Sequence, residues 1–268
     1  MLKNQTTLPA ARQVVVKKHL YNRKMHPAKI AILGNFNETY QPHYVMDKVF
    51  RGLEPRYSFQ FEWIPTETLV HNTAEKLSPF QGIIAGSGPY KSKEGVINGI
   101  RYARTNNIPF LGTCSGFGYA VLEFGQSLFH LDTVTHLNEG IPLPAGETFL
   151  QPLNVCCAEN HTICFKAGPG TLTSGVYGHA EKICEVTHCS YGIHREMIPA
   201  FGKEGLIVSA WDEEGEAKMM EYDRNDFFII VLFLPQLNSA PDHPHPLFTA
   251  FFTAAVAVAA KAPFPYTG

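Results

Sequence analysis

The sequence predicts an α/β protein of three layers, with helices on both faces of a mainly parallel central sheet. Three observations carry that expectation. Short apolar runs closed by glycine or turn residues alternate with stretches of helical spacing, the pattern of successive strand–helix–strand units. A chain of 268 residues suffices for one large domain of this kind. A composition that is 45% hydrophobic, 12% aromatic and 17% charged can fill a packed interior and excludes a disordered chain.

Residues 1–27 carry Lys3, Arg12, Lys17, Lys18, Arg23 and Lys24 and no acidic residue, and read as a basic N-terminal extension. The domain is expected over 28–268. Lys29–Gly34 (KIAILG) reads as a buried first strand closed by glycine. Tyr44–Leu53 has helical apolar spacing, and Phe59–Ile64 (FQFEWI) alternates as a second strand. Gln81–Ala85 is a third strand, Gly95–Thr105 a helix, Ile108–Gly112 a fourth strand and Phe117–Phe124 the helix after it. Further strands are expected at Ile163–Phe165, Gly205–Ala210 and Phe227–Phe233. The Ala-rich run Pro246–Lys261 reads as a terminal helix.

A net charge of −2 gives no bulk electrostatic case for a nucleic-acid partner. No apolar window is long enough to span a membrane, and the N-terminus lacks a secretory pattern. The six cysteines form no CxxC pair, which predicts a cytoplasmic protein with reduced thiols. Cys156, Cys157 and Cys164 read as small buried apolar residues. Cys184, His188, Cys189 and His194 cluster in sequence, but not at the spacings of a zinc finger or ribbon, and no metal is expected. Asp242-His243-Pro244-His245-Pro246 reads as a rigid surface turn. Gly34-Asn35-Phe36-Asn37 is neither a GxGxxG run nor a P-loop, so no nucleotide site is expected.

The segment richest in chemistry is Gly112-Thr113-Cys114-Ser115-Gly116. It sets a cysteine on the turn between a buried strand and a helix, with glycines two residues to either side. A nucleophile on such a turn needs unusual backbone angles and small neighbours. The helix N-terminus then favours the thiolate, and its first N–H groups can hold a developing oxyanion.

The run Ile100–Phe124 around this turn resembles the nucleophile region of class I glutamine amidotransferases, most closely the glutaminase domain of CTP synthase. The likeness continues through Lys29–Leu69, Gln81–Gly95, Pro169–Gly178, Gly205–Glu216 and Phe227–Ala255, about 230 residues in preserved order. It implies a flavodoxin-like three-layer sandwich, Cys114 as nucleophile, and an oxyanion hole from backbone N–H groups near Ser87 or Gly88 and Ser115. The family's large ATP- and UTP-binding synthetase domain has no counterpart here, so this chain alone is not expected to make CTP.

The resemblance also locates the departures. The family's His and Glu of the triad fall at Leu234 and Gln236, neither of which can act as a base or support one. The glutamine-recognising Gln falls at Gly118, and the Arg that clamps the α-carboxylate falls at Ser190. The residue that contacts glutamine falls near Asn138 and Glu139. His136, His188 and His194 are the candidate replacement bases, with Glu139 as a carboxylate partner. His188 and His194 flank the former Arg position. Pocket and triad have changed together while the elbow persists. Three readings follow. One is a cysteine-dependent enzyme acting on an amide-like or other small carbonyl or nitrile substrate. Another is an inactive binding or regulatory protein of pyrimidine metabolism. The third is a residual glutaminase feeding ammonia to a separate synthetase. The expected partners are a small-molecule substrate and either further copies of the chain or a synthetase; no cofactor is expected.

Overall fold

Each expected apolar run of the first half becomes the strand or helix its spacing suggests. The computed structural model describes residues 27–129, 149–153 and 161–261. In chain order these are β1 Ala28–Leu33, α1 Gln41–Tyr57, β2 Phe59–Ile64, α2 Thr73–Leu77, β3 Gly82–Ala85, α3 Lys93–Thr105, β4 Phe110–Thr113 and α4 Ser115–Phe129. There follow β5 Leu150–Pro152, β6 His161–Ala167, α5 Leu172–Val176, β7 Ile183–Thr187, β8 Tyr191–Ile193, α6 Ile198–Lys203, β9 Leu206–Trp211, β10 Ala217–Tyr222, β11 Phe228–Val231 and α7 Pro246–Lys261. The basic stretch before Pro27, Cys156 and Cys157 lie outside the described residues.

One nine-stranded sheet runs in the order β2-β1-β3-β4-β11-β10-β9-β6-β7. From β2 to β11 every pairing is parallel. From β11 to β7 every pairing is antiparallel. The expected parallel sheet is therefore the half that carries the elbow, extended by an antiparallel half. A separate antiparallel ribbon joins β5 to β8.

Helices cover both faces. Val96, Ile97 and Ile100 of α3 and Phe117, Ala120 and Val121 of α4 pack with Leu33 and Ile83 in one buried cluster. On the other face Met46, Val49 and Phe50 of α1 meet Phe248, Phe251 and Phe252 of α7 over Ile30, Ile32 and Ile84. Phe50 sits edge-on to Phe248 and to Phe252, each at 5.0 Å, so the outer helices lock through aromatic rings as well as by area. Ser92 begins α3 by accepting a hydrogen bond from the Gly95 N–H at 3.0 Å.

The two glycines of the elbow are there for space. A Cβ on Gly116 would stand 1.9 Å from the Ala85 carbonyl oxygen, and one on Gly112 would stand 2.9 Å from Ile230 Cγ2. Helix α4 therefore starts in contact with the end of β3. Gly116→Ala is expected to cost about 1–3 kcal/mol by overpacking, read as a lower denaturant midpoint, because backbone rather than a side chain must move.

Two expectations need correction. Cys164 and Cys184 are joined in a disulfide, so the thiols are not all reduced, and Cys164 is half-exposed rather than a buried apolar residue. The two stand directly opposite on β6 and β7, which is why strand pairing brings them together. His245, expected on a surface turn, is buried, with its Nε2 2.7 Å from Glu185 Oε1. Tyr177 Oη and Asn238 Nδ2 also donate to Glu185, so the carboxylate ties the segment before α7 to β7 and α5. Among the described residues, no helix is long and apolar enough to cross a membrane.

Candidate active site

Cys114 stands at the carboxyl end of β4 with φ 53°, a conformation rare for a side-chain-bearing residue. Its N–H donates to the Val231 carbonyl at 3.0 Å, and its own carbonyl accepts from the Phe117 N–H at 3.0 Å. The first bond continues the β4–β11 ladder by one residue. The second opens α4. The sulfur is thereby fixed at the sheet's edge against the first turn of a helix, where the dipole favours an anion. The residue is only 8% exposed.

The segment leaving β11 runs beside this elbow and brings a second segment with it. Leu234 N–H donates to the Val186 carbonyl at 2.9 Å. Thr187 Oγ1 donates to the Leu232 carbonyl at 2.5 Å and accepts the Cys189 N–H at 3.0 Å. The end of β7 is thus stitched along residues 232–234, and His188 and Cys189 are delivered to Cys114. Both act on its sulfur, lowering the Cys114 pKa.

The electrostatics follow from those neighbours. The Cys189 S–H, first, and then the half-buried His188 imidazole and the Ser87 hydroxyl hold the Cys114 thiol well below the ordinary cysteine range, against the opposing effect of burial. In return the Cys114 sulfur raises His188 and, together with burial, pushes Cys189 well up. The arrangement favours a Cys114 thiolate facing a protonated His188, with Cys189 kept as a thiol.

The opposite wall is the loop after β3. Ser87 is buried in this wall, and its hydroxyl has no hydrogen-bond partner. Gly88 approaches Ser115 so closely that a Cβ on it would lie 3.2 Å from Ser115 Oγ. The two backbone positions expected to form an oxyanion hole are therefore adjacent. His43 holds this loop from behind: the Asn37 N–H donates to its Nδ1 at 3.2 Å, leaving Nε2–H to donate to the Ser87 carbonyl at 2.8 Å. Burial lowers the His43 pKa, which keeps the ring neutral in that role.

Three phenols complete the surroundings. Burial, followed by Cys114 and Cys189, pushes Tyr40 up to about 12. Burial, followed by Tyr119, Cys114 and Tyr40, holds Tyr90 far above its ordinary value. Burial alone carries Tyr119 to about 12. Tyr90 donates to the Gly86 carbonyl, and its ring meets Tyr119 edge-on at 5.1 Å. All three stay neutral. They come from three separate elements, and nothing local in the sequence marks Tyr40.

Of the other residues expected at the pocket, Gly118 is buried in the first turn of α4. The Ser190 carbonyl accepts the Leu153 N–H at 2.7 Å, joining the β5–β8 ribbon. The N–H of His194 donates to the Phe149 carbonyl at 2.8 Å at the other end of that ribbon, and its Nδ1 is buried without a partner. Asn138, Glu139 and His136 lie outside the described residues. Leu234 is fully buried in the same apolar cluster as Cys114. Gln236 is buried too: its Nε2 donates to the Pro42 carbonyl at 3.4 Å, while Oε1 has no partner. The Cys/His cluster of the sequence is split, with Cys184 bonded to Cys164 and His188 and Cys189 turned to Cys114.

The family described as glutamine amidotransferase class-I matches residues 44–254. This chain belongs to the class I glutamine amidotransferase family. Among curated relatives, CTP synthases of Staphylococcus aureus strains JH9 and Newman are 31% identical over 212 residues, 72% of this chain. The match spans 38% of the length of those relatives. Among solved structures, the glutaminase domain of Trypanosoma brucei CTP synthase with bound acivicin is 18% identical, with a TM-score of 0.71 over 89% of this chain and 96% of that one. A glutamine amidotransferase from Methylobacillus flagellatus is 11% identical, with a TM-score of 0.51 over 91% of this chain and 98% of the other. The chain is thus an amidotransferase-like protein of CTP synthase glutaminase type, and these two structures share its fold.

Proposed function

We propose that this amidotransferase-like chain is a cysteine-dependent hydrolase or transferase acting on a small neutral amide or related carbonyl or nitrile compound other than free glutamine. The observation that carries the reading is the contact of His188 with Cys114. The family's basic residue is replaced by Leu234, and an imidazole supplied from the end of β7 reaches the same sulfur.

The chemistry then runs on this chain's own groups. The Cys114 thiolate attacks the substrate carbonyl carbon and forms a C–S bond. The oxygen becomes an oxyanion held by the N–H groups near Gly88 and Ser115. Protonated His188 gives its proton to the departing amine as the C–N bond breaks, leaving an acyl-cysteine. Neutral His188 then takes a proton from water, which attacks the thioester and releases the acid. An amine in place of water makes the same step a transfer. Tyr40 and Tyr90 are uncharged phenols near the sulfur, and Ser190 stands where an Arg would hold a carboxylate. Such a wall suits a neutral amide better than an amino-acid zwitterion. The cytoplasm is the compartment this reading assumes.

The test is the pH profile of Cys114 alkylation by iodoacetamide, followed by intact mass. The thiolate is present above a lowered pKa, so labelling is expected to persist well below the pH near 8.5 at which a free cysteine ionises. Turnover is expected to be bell-shaped: it rises as Cys114 ionises and falls at higher pH as His188 loses its proton. Acivicin, bound by the T. brucei domain, is expected to leave Cys114 unlabelled. An ordinary thiol profile would return the chain to a binding or regulatory role. Rapid acivicin labelling would restore glutamine as the substrate.

A further inference from the structure

We infer that the Cys164–Cys184 disulfide is a thiol–disulfide exchange site for small thiols that carry a carboxylate. The sulfurs are bonded across β6 and β7, whose register sets Cys164 directly opposite Cys184. Cys184 is exposed and Cys164 half-exposed, so the bond is open to attack rather than sealed in a core. A cleft of about 340 Å³ lies against it, lined in part by Cys164, Lys166, Lys182, Trp211, Asp212 and Glu213. Strand geometry gathers these groups. Lys166 follows Cys164 by two residues on β6 and shares its face, and Trp211 of β9 is the register partner of Lys166. Lys182 stands two residues before Cys184.

The lining suits an anion with a short carbon chain. Lys166 and Lys182 are both exposed, and among the described residues no ion pair engages either. Asp212 is already answered by Lys218 Nζ at 2.8 Å and by the N–H groups of Glu214 and Glu216. That leaves the exposed Glu213 against two lysines. Trp211, 40% exposed, adds an apolar wall, its ring so near Gly168 that a Cβ there would stand 3.2 Å from it. The ammonium groups draw in a carboxylate and favour the thiolate, which is the attacking form.

The thiolate attacks the Cys164 sulfur, which lines the cleft. A new S–S bond forms, the Cys164–Cys184 bond breaks, and Cys184 leaves as a thiolate. A second thiol then attacks the sulfur of the first in the mixed disulfide and releases Cys164. Each cysteine takes up one of the two protons the thiols gave up. Two small thiols are oxidised to their disulfide, and the protein disulfide is reduced to two thiols. Strand β7, outermost in the sheet, is then held to β6 by hydrogen bonds without the covalent tie.

The experiment exposes the folded full chain to 3-mercaptopropionate, which is anionic, or to cysteamine, which is cationic. Aliquots are quenched with iodoacetamide, and labelling of Cys164 and Cys184 is followed by peptide mass. Each rate is divided by that of the same thiol on hydroxyethyl disulfide, which removes the difference in thiol reactivity. The expected result is a relative rate about 10-fold higher for mercaptopropionate at low salt, falling as salt is added. In the double variant Lys166→Gln/Lys182→Gln, whose side chains are exposed, that preference is expected to vanish while both thiols still open the bond. Equal relative rates, a faster cysteamine, a preference that survives in the double variant, or a disulfide that opens only on unfolding would overturn the inference. The readout is confined to Cys164 and Cys184, so its failure leaves the amide reading at Cys114 standing, and a missing turnover leaves this one standing.

Discussion

Replacing His188 with alanine is expected to move the alkylation midpoint of Cys114 up by about one to three pH units, the usual effect of removing a nearby opposite charge. At pH 6 that slows labelling by about 10-fold or more, softened because a more basic thiolate is also a better nucleophile. Loss of turnover is expected to be larger, about 10²–10⁴-fold, the range for a positioned acid–base group. The sign follows from the two directions of shift. Cys114 is lowered by Cys189 first and by His188 after it, and His188 is raised by Cys114, so removing the imidazole withdraws one of the supports of the thiolate. Cys189, the largest cause of the lowered value, remains, which keeps the midpoint below that of a free cysteine. The measurement is iodoacetamide labelling between pH 5 and 9 in both proteins, at about 25 °C. A midpoint unchanged by His188→Ala would assign the thiolate wholly to Cys189 and the helix terminus, and leave the reaction without its base.

The elbow was legible because everything that makes it is local. Two glycines, a cysteine, a preceding apolar run and a following helix sit within a few residues, and the structure returns the positive φ that this spacing demands. The histidine proposed to serve Cys114 was legible only as a choice among three. Selection depends on the bonds from Leu234 to Val186 and from Thr187 to Leu232, which join segments far apart in sequence. Strand β10 was invisible for a different reason. Its residues Ala217–Tyr222 are buried on both faces, yet include Lys218 and Glu221, which erase an apolar run. Both charges are answered by partners no pattern reveals: Lys218 Nζ lies 2.8 Å from Asp212, and Glu221 accepts the N–H groups of Leu172 and Thr173 at 3.0 and 3.1 Å. His245 was misread on the same grounds. A polar, proline-rich stretch looks like surface until a buried carboxylate is found facing it.

A buried ion cluster supports the helix that carries the elbow, and Arg104→Met is expected to expose its importance. Glu123 in α4 has no solvent exposure. Arg104 of α3 grips it with two bonds, Nε to Oε2 at 2.8 Å and Nη2 to Oε1 at 2.7 Å, and Arg101 Nε adds a third at 3.2 Å. Arg104 also stacks over Phe124, 5.0 Å from the ring centre. Removing its guanidinium leaves a buried carboxylate with only the half-exposed Arg101 and the Ser127 hydroxyl. Such half-broken pairs cost about 3–5 kcal/mol, and the surviving Arg101 argues for the lower end. For a domain of this size about 3 kcal/mol lowers Tm by roughly 6–12 °C, measurable by calorimetry. The double variant Arg104→Met/Glu123→Met removes both charges and keeps the volume, so it is expected to recover most of that loss. If the double variant were as unstable as the single one, the clasp would be holding α3 to α4 through shape rather than charge. If neither changed Tm, helix α4 and its cysteine would owe their position to the contacts of Gly116 and the sheet alone.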